Sequence, residues 1–183
     1  MDADEIDAKI RTLAAERRLP ASHLARWLAM DQPSRAAMLE IAHALRLRTG
    51  QLVTALDTLE EIAVREHLCI EAILDHPEIR RIRRRAGSAP SRASAILEQL
   101  RALRYPLLKK KEDELRAEVS ALNLPRGISL DLPKELGSDE VTVSIRVRSG
   151  AELADALETL EQKRAGLTRI IEMLGGKCDK NEV

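Results

Sequence analysis

Aromatic side chains are almost missing from this chain: Trp27 and Tyr105 are the only two, and phenylalanine does not occur. A core made from such a sequence must draw on Leu, Ile, Val, Ala and Met. The same scarcity argues against a binder of RNA or single strands, which stacks bases on aromatic platforms. Cysteine is nearly as rare. Cys69 and Cys178 lie far apart and no C-x-x-C pair exists, which excludes a disulfide scaffold or zinc ribbon and suits a reducing cytoplasm. No apolar stretch approaches the roughly 18 residues that a membrane-spanning helix needs. The first residues, Met1-Asp2-Ala3-Asp4-Glu5, are acidic where a secretory signal starts basic. A soluble, cytoplasmic protein without membrane contact is expected.

Catalytic patterns are missing too. No glycine-rich loop follows a strand, so there is neither a P-loop nor a dinucleotide fingerprint. His23, His43, His67 and His76 are scattered and form no H-E-x-x-H motif. His67, Cys69 and His76 lack a fourth ligand, and packing is the simpler role for them. Acidic clusters such as Asp57-Glu60-Glu61 and Glu112-Asp113-Glu114 fall on helices, not at one point as a metal nuclease requires. No catalytic residue, metal site or cofactor is expected, and the chain reads as a non-enzymatic protein.

What the chain does have is charge, unevenly spread. Between Ile79 and Lys111 stand eleven basic residues and a single acid, Glu98. The bases are Arg80, Arg81, Arg83, Arg84, Arg85, Arg92, Arg101, Arg104, Lys109, Lys110 and Lys111. Residues 1–78 and 112–183 are each net −5, so the chain is neutral only by cancellation. A charged helix face is normally interleaved with acids that form i, i+4 pairs. This one is bare, as expected of a surface that meets a polyanion. Arginine outnumbers lysine eight to three, which favours bidentate phosphate contacts over loose point charge. Duplex DNA is therefore the favoured partner. The alternative is an interaction adaptor whose basic segment docks on acidic protein surfaces.

The fold expected is α+β and mostly α-helical: a helical bundle, then a helix–strand–strand–helix unit with one antiparallel ribbon. Stripes at Ile6-Ile10-Leu13, Leu24–Leu28, Met38-Leu39-Ala42-Leu45, Leu52-Leu56-Leu59-Ile62 and Ile70-Ile73-Leu74 mark helices in an acidic domain over 1–77. Leu19-Pro20 and His76-Pro77 punctuate them. A basic helical connector is expected over 78–111, broken at Gly87-Ser88-Ala89-Pro90 and bent at Pro106, with a stripe at Ile96, Leu100, Leu103 and Leu107. A helix-ribbon-helix domain follows over 112–176, and a flexible tail over 177–183. Its first helix carries Leu115, Val119 and Leu122.

The ribbon should alternate Ile128-Leu130-Leu132 and Val141-Val143-Ile145-Val147 with polar residues. Thr142, Ser144, Arg146 and Arg148 then share the wet face, where Arg146 and Arg148 extend the nucleic-acid surface. Ser149-Gly150-Ala151-Glu152 reads as a capping box opening one last helix, with its stripe from Leu153 to Leu174 packed on the ribbon. The open edge strand invites a second copy, so a homodimer is expected.

The segments Arg17–Leu28 and Met38–Leu45 resemble the flanks of phage-repressor-type DNA-binding domains. The gap between them is too short for a separate recognition helix, and residues 1–78 are net negative. These helices are accordingly expected to serve as a scaffold or to dock a protein partner.

Overall fold

Seven helices fill the chain up to Arg104, four of them opened by a capping side chain. The computed structural model describes residues 2–133 and 140–175. Asp2 caps α1 (Ala3–Arg17), which stops at Arg18 in the left-handed region, and Pro20 precedes α2 (Ala21–Ala29). Only Met30 and Asp31 separate α2 from α3 (Gln32–Ala44), leaving no room for an intervening helix. The Asp31 carboxylate accepts from the Ser34 N–H at 2.8 Å. Then come α4 (Thr49–Glu66), α5 (Ile70–Leu74), α6 (Pro77–Arg84) and α7 (Ala89–Arg104).

The described residues form two compact units, Met1–Pro106 and Leu107–Val183. This boundary differs from those expected at 77/78 and 111/112. The basic segment up to Arg104 is no free connector, because Ile79, Ala93, Ile96 and Leu100 are buried in the same core as Ile6, Ile10, Trp27, Leu52, Leu56 and Leu59. Within this unit α7 packs on α4 and α6, and α3 packs on α1 and α5. Trp27 is fully buried, so one of the two aromatics joins the aliphatic core. Ser34, also buried, accepts from the Glu71 N–H at 3.2 Å and ties α3 to the start of α5. Arg26 forks across Glu60 and Asp57, bonding Asp57 at 2.8 Å. These two carboxylates, Glu60 first, push the guanidinium pKa up.

The second unit holds α8 (Pro106–Ala121), β1 (Ile128–Asp131), β2 (Thr142–Ile145), α9 (Gly150–Gln162) and α10 (Arg164–Gly175). The strands pair antiparallel, Ile128 opposite Ile145 and Leu130 opposite Val143. Leu115, Leu122, Ile170 and Leu174 form its core, with Val119, Leu124, Leu130, Leu132, Val141, Leu167 and Met173 against it. An α+β, mostly helical architecture is thus observed. The tail expected over 177–183 lies outside the described residues.

Three details depart from expectation. The single last helix is two, α9 and α10, joined at Lys163. Just past this joint, a Cβ at Gly166 would run into Leu122 Cδ2, so the helix turns where glycine permits close approach. Leu107 belongs to α8 rather than to the α7 stripe and is 83% exposed, because Pro106 starts a new helix. Finally, Val143, Val147, Leu153, Leu157 and Ile171 are 38–54% exposed, so the ribbon and last-helix stripes are only half covered. Six buried aliphatics among the described residues, Leu115, Leu122, Ile128, Ala156, Ile170 and Leu174, are too few to take in every apolar position this unit offers.

Candidate nucleic-acid interface

His76 caps α6, its Nδ1 accepting from the Glu78 N–H at 3.3 Å, and Pro77 sets the first turn. Ile79 is fully buried and Ile82 packs beside it, an i, i+3 pair that anchors one side of the helix. The arginines at 80, 81, 83 and 84 are thereby held around the remaining faces. After Arg85 the chain turns through Gly87, whose φ of 144° is a conformation L side chains rarely adopt. Ser88 then caps α7, accepting from the Ser91 N–H at 3.3 Å. One turn in, Arg92 Nη1 donates back to the Arg83 carbonyl at 3.2 Å and fastens α7 to the end of α6.

This local architecture makes two open clefts that share Arg80 and Arg84. One, of about 660 Å³, is lined by Pro77, Arg80, Arg81, Ile82, Arg84 and Arg85. The other, of about 520 Å³, is formed by Arg80, Arg83, Arg84 and Arg92 against Glu40, Ala44 and Asp75. Six of the arginines singled out in the sequence therefore line two clefts that adjoin at Arg80 and Arg84.

Three of the six have carboxylate partners. Arg80 meets Asp75 at 3.4 Å, Arg81 meets Glu78 at 2.6 Å, and Arg83 bonds Glu40 of α3. Arg84 and Arg85 are exposed and have no side-chain partner among the described residues, while Arg92 is held by a neutral carbonyl. Against three carboxylates, the six arginines leave the two clefts with an excess of three positive charges. Glu40 and Asp75 escaped the sequence reading because they reach the clefts from other elements, and no local spacing marks such contacts.

Arg101 and Arg104, the remaining basic residues of this segment within the first unit, line neither cleft. Arg104 Nη2 bonds Glu61 at 2.6 Å, and its guanidinium lies 4.8 Å from the Tyr105 ring centroid, an arrangement that fixes the end of α7. Arg101 lies on the same helix. Arg65 completes this end, donating to the Leu103 carbonyl at 2.6 Å and to that of Arg104.

Lys109, Lys110 and Lys111 belong to the second unit. Lys109 pairs with Asp113 at 2.8 Å and Lys110 with Glu114 at 3.8 Å, both i, i+4, while Lys111 has no partner among the described residues. Arg146 lines a separate groove of about 340 Å³ with Val147, Glu152 and Asp155. The Arg148 N–H donates to Glu152 Oε2 at 2.6 Å, in place of the Ser149 N–H expected of a capping box. Both side chains lack a partner among the described residues.

Among the described residues, no group of three or more His, Cys, Asp or Glu side chains is placed to hold a metal ion. No described helix is long and apolar enough to cross a membrane. Comparison with protein-family models finds no match, and neither do comparisons with the curated proteins and with the solved structures.

Proposed function

We propose that this chain is a non-enzymatic, cytoplasmic nucleic-acid-binding protein that grips the phosphate backbone of duplex DNA through the arginine clefts of α6 and α7. The observation that carries this reading is the lining of two adjoining clefts by six arginines that only three carboxylates offset. Planar guanidinium forks match phosphate oxygens two at a time, and open clefts admit a backbone without demanding a particular base. Lys111 and Arg146 supply auxiliary cation from the second unit. The helices α1–α5 act as scaffold and as a docking module for a protein partner. The aromatic-poor surface favours duplex over single strands.

The Arg83–Glu40 and Arg80–Asp75 pairs favour a second reading, in which the clefts receive carboxylates of an acidic protein surface. Polarisation titrations of labelled duplex, single strand, RNA and a polyglutamate peptide across salt separate the two. Steep salt-dependent binding to duplex, lost in Arg84→Glu/Arg85→Glu, is the expected result. Retention of polyglutamate with no nucleic-acid binding at low salt would leave the adaptor reading alone.

A further inference from the structure

The Arg146 N–H donates to the Gly127 carbonyl at 2.7 Å. With Ile128 opposite Ile145, this fixes the alternation along β2: residues 142, 144 and 146 turn their backbone groups toward β1. Val141, Val143, Ile145 and Val147 therefore turn theirs outward, along an edge that pairs with no other strand among the described residues. Residues 140–150 contain no proline, so every residue along this edge of β2 keeps its N–H donor. Side chains along this open edge are half covered, with Val143 40% and Val147 38% exposed.

We infer that a second copy of this chain adds its β2 to this edge, antiparallel, about a two-fold axis through Ser144. Directly opposed residues in an antiparallel pair share a face, so apolar meets apolar only where the two residue numbers sum to an even value. The repeat Val141-Val143-Ile145-Val147 is centred on Ser144. An axis there sets Val143 against Ile145 of the partner subunit, and Val141 against Val147 of the partner subunit. On the opposite face it sets Arg146 against Thr142 of the partner subunit and, carried past the ends of β2, Arg148 against Glu140 of the partner subunit. Each arginine thus meets a carboxylate or a hydroxyl and never another arginine. The outward N–H and C=O groups of Val143 and Ile145 exchange bonds with the same groups of the other copy. The result is a four-stranded sheet, β1-β2-β2-β1, in place of a two-stranded ribbon that is marginal in water.

The test uses the full chain. Sedimentation equilibrium at micromolar concentration is expected to give twice the monomer mass of 20.4 kDa. Val143→Pro removes an outward N–H while leaving the β1–β2 bonds intact, and it should yield monomer. Arg148→Glu should raise the dimer Kd about tenfold, since two symmetric cross-strand pairs are reversed. Combining it with Glu140→Arg should restore the wild-type value, which separates a pairing defect from misfolding. Opposed residues at a non-hydrogen-bonded position lie roughly 4.5 Å apart at Cα, within disulfide range. Ser144→Cys, in a background with Cys69→Ser and Cys178→Ser, should therefore cross-link spontaneously. A strict monomer overturns the inference. So does a dimer that tolerates Val143→Pro and Arg148→Glu and leaves Ser144→Cys uncross-linked.

Discussion

Charge reversal at Arg84 and Arg85 tests the arginine clefts most directly, because these two side chains have no partner among the described residues whose loss would disturb the fold. Counterion release sets the scale: each neutralised phosphate contributes about −0.9 to the slope of log K against log salt. If Arg80, Arg81 and Arg83 keep their carboxylates, only Arg84, Arg85 and Arg92 engage phosphate, and the slope is about −2.7. If phosphate displaces Asp75, Glu78 and Glu40, all six engage and the slope steepens to about −5.4. Between 50 and 200 mM salt these limits correspond to losses of roughly 40-fold and 1,800-fold in affinity. Arg84→Glu/Arg85→Glu removes two contacts, so the slope should flatten by about 1.8 and affinity at 50 mM fall roughly two-hundredfold. Polarisation with a labelled duplex, repeated at several salt concentrations, reads both quantities. A mutant slope equal to that of the wild type refutes the assignment, even if overall affinity falls.

Other consequences follow from the same packing. Glu40→Gln releases Arg83 for phosphate and should tighten duplex binding about threefold at low salt, the scale of an exposed ion pair. Unchanged affinity in the same titration would mean Arg83 stays out of the contact. Ile79→Ala cuts the buried anchor of α6 and should destabilise the first unit by about 3 kcal/mol, lowering its melting temperature by more than about 10 °C. A calorimetric loss under about 1 kcal/mol would show that α6 is held by something else. Gly127→Ala sets a Cβ 3.0 Å from the Arg146 carbonyl oxygen, where neighbouring backbone must yield. It should cost the second unit about 1 kcal/mol in denaturant melts while leaving the midpoint of the first unit unchanged.

Much of the helical framework was legible because burial in it follows a period of 3.6 residues. Ile6, Ile10 and Leu13, and Leu52, Leu56, Leu59 and Ile62, all occupy the core their spacing implied. The ribbon was legible from its two-residue alternation. Periodicity marks a face as apolar but does not say what covers it, which is why Val143, Val147, Leu153 and Leu157 stand half exposed. The joint at Lys163 left one mark in the sequence, Arg164 interrupting the stripe between Leu160 and Leu167, and contact with Leu122, distant in sequence, is what makes Gly166 informative. At the clefts the arginines announced themselves as a cluster without an intervening acid, from Arg80 to Arg92. Their division did not, since Pro106 reads equally well as a kink within one helix or as the start of another.

The carboxylate of Glu40, resting on Arg83, gives the cleft a built-in competitor. Tethered in the same folded chain, it acts at an effective concentration on the order of millimolar or above. An incoming anion must displace it to reach that guanidinium, so a single dilute carboxylate gains little purchase. A phosphodiester chain meets no such rival at Arg84 and Arg85, and once seated there it presents its next phosphates to the occupied arginines from within reach. Selection between ligands would then turn on how many charges arrive joined together, more than on how strongly any one of them binds.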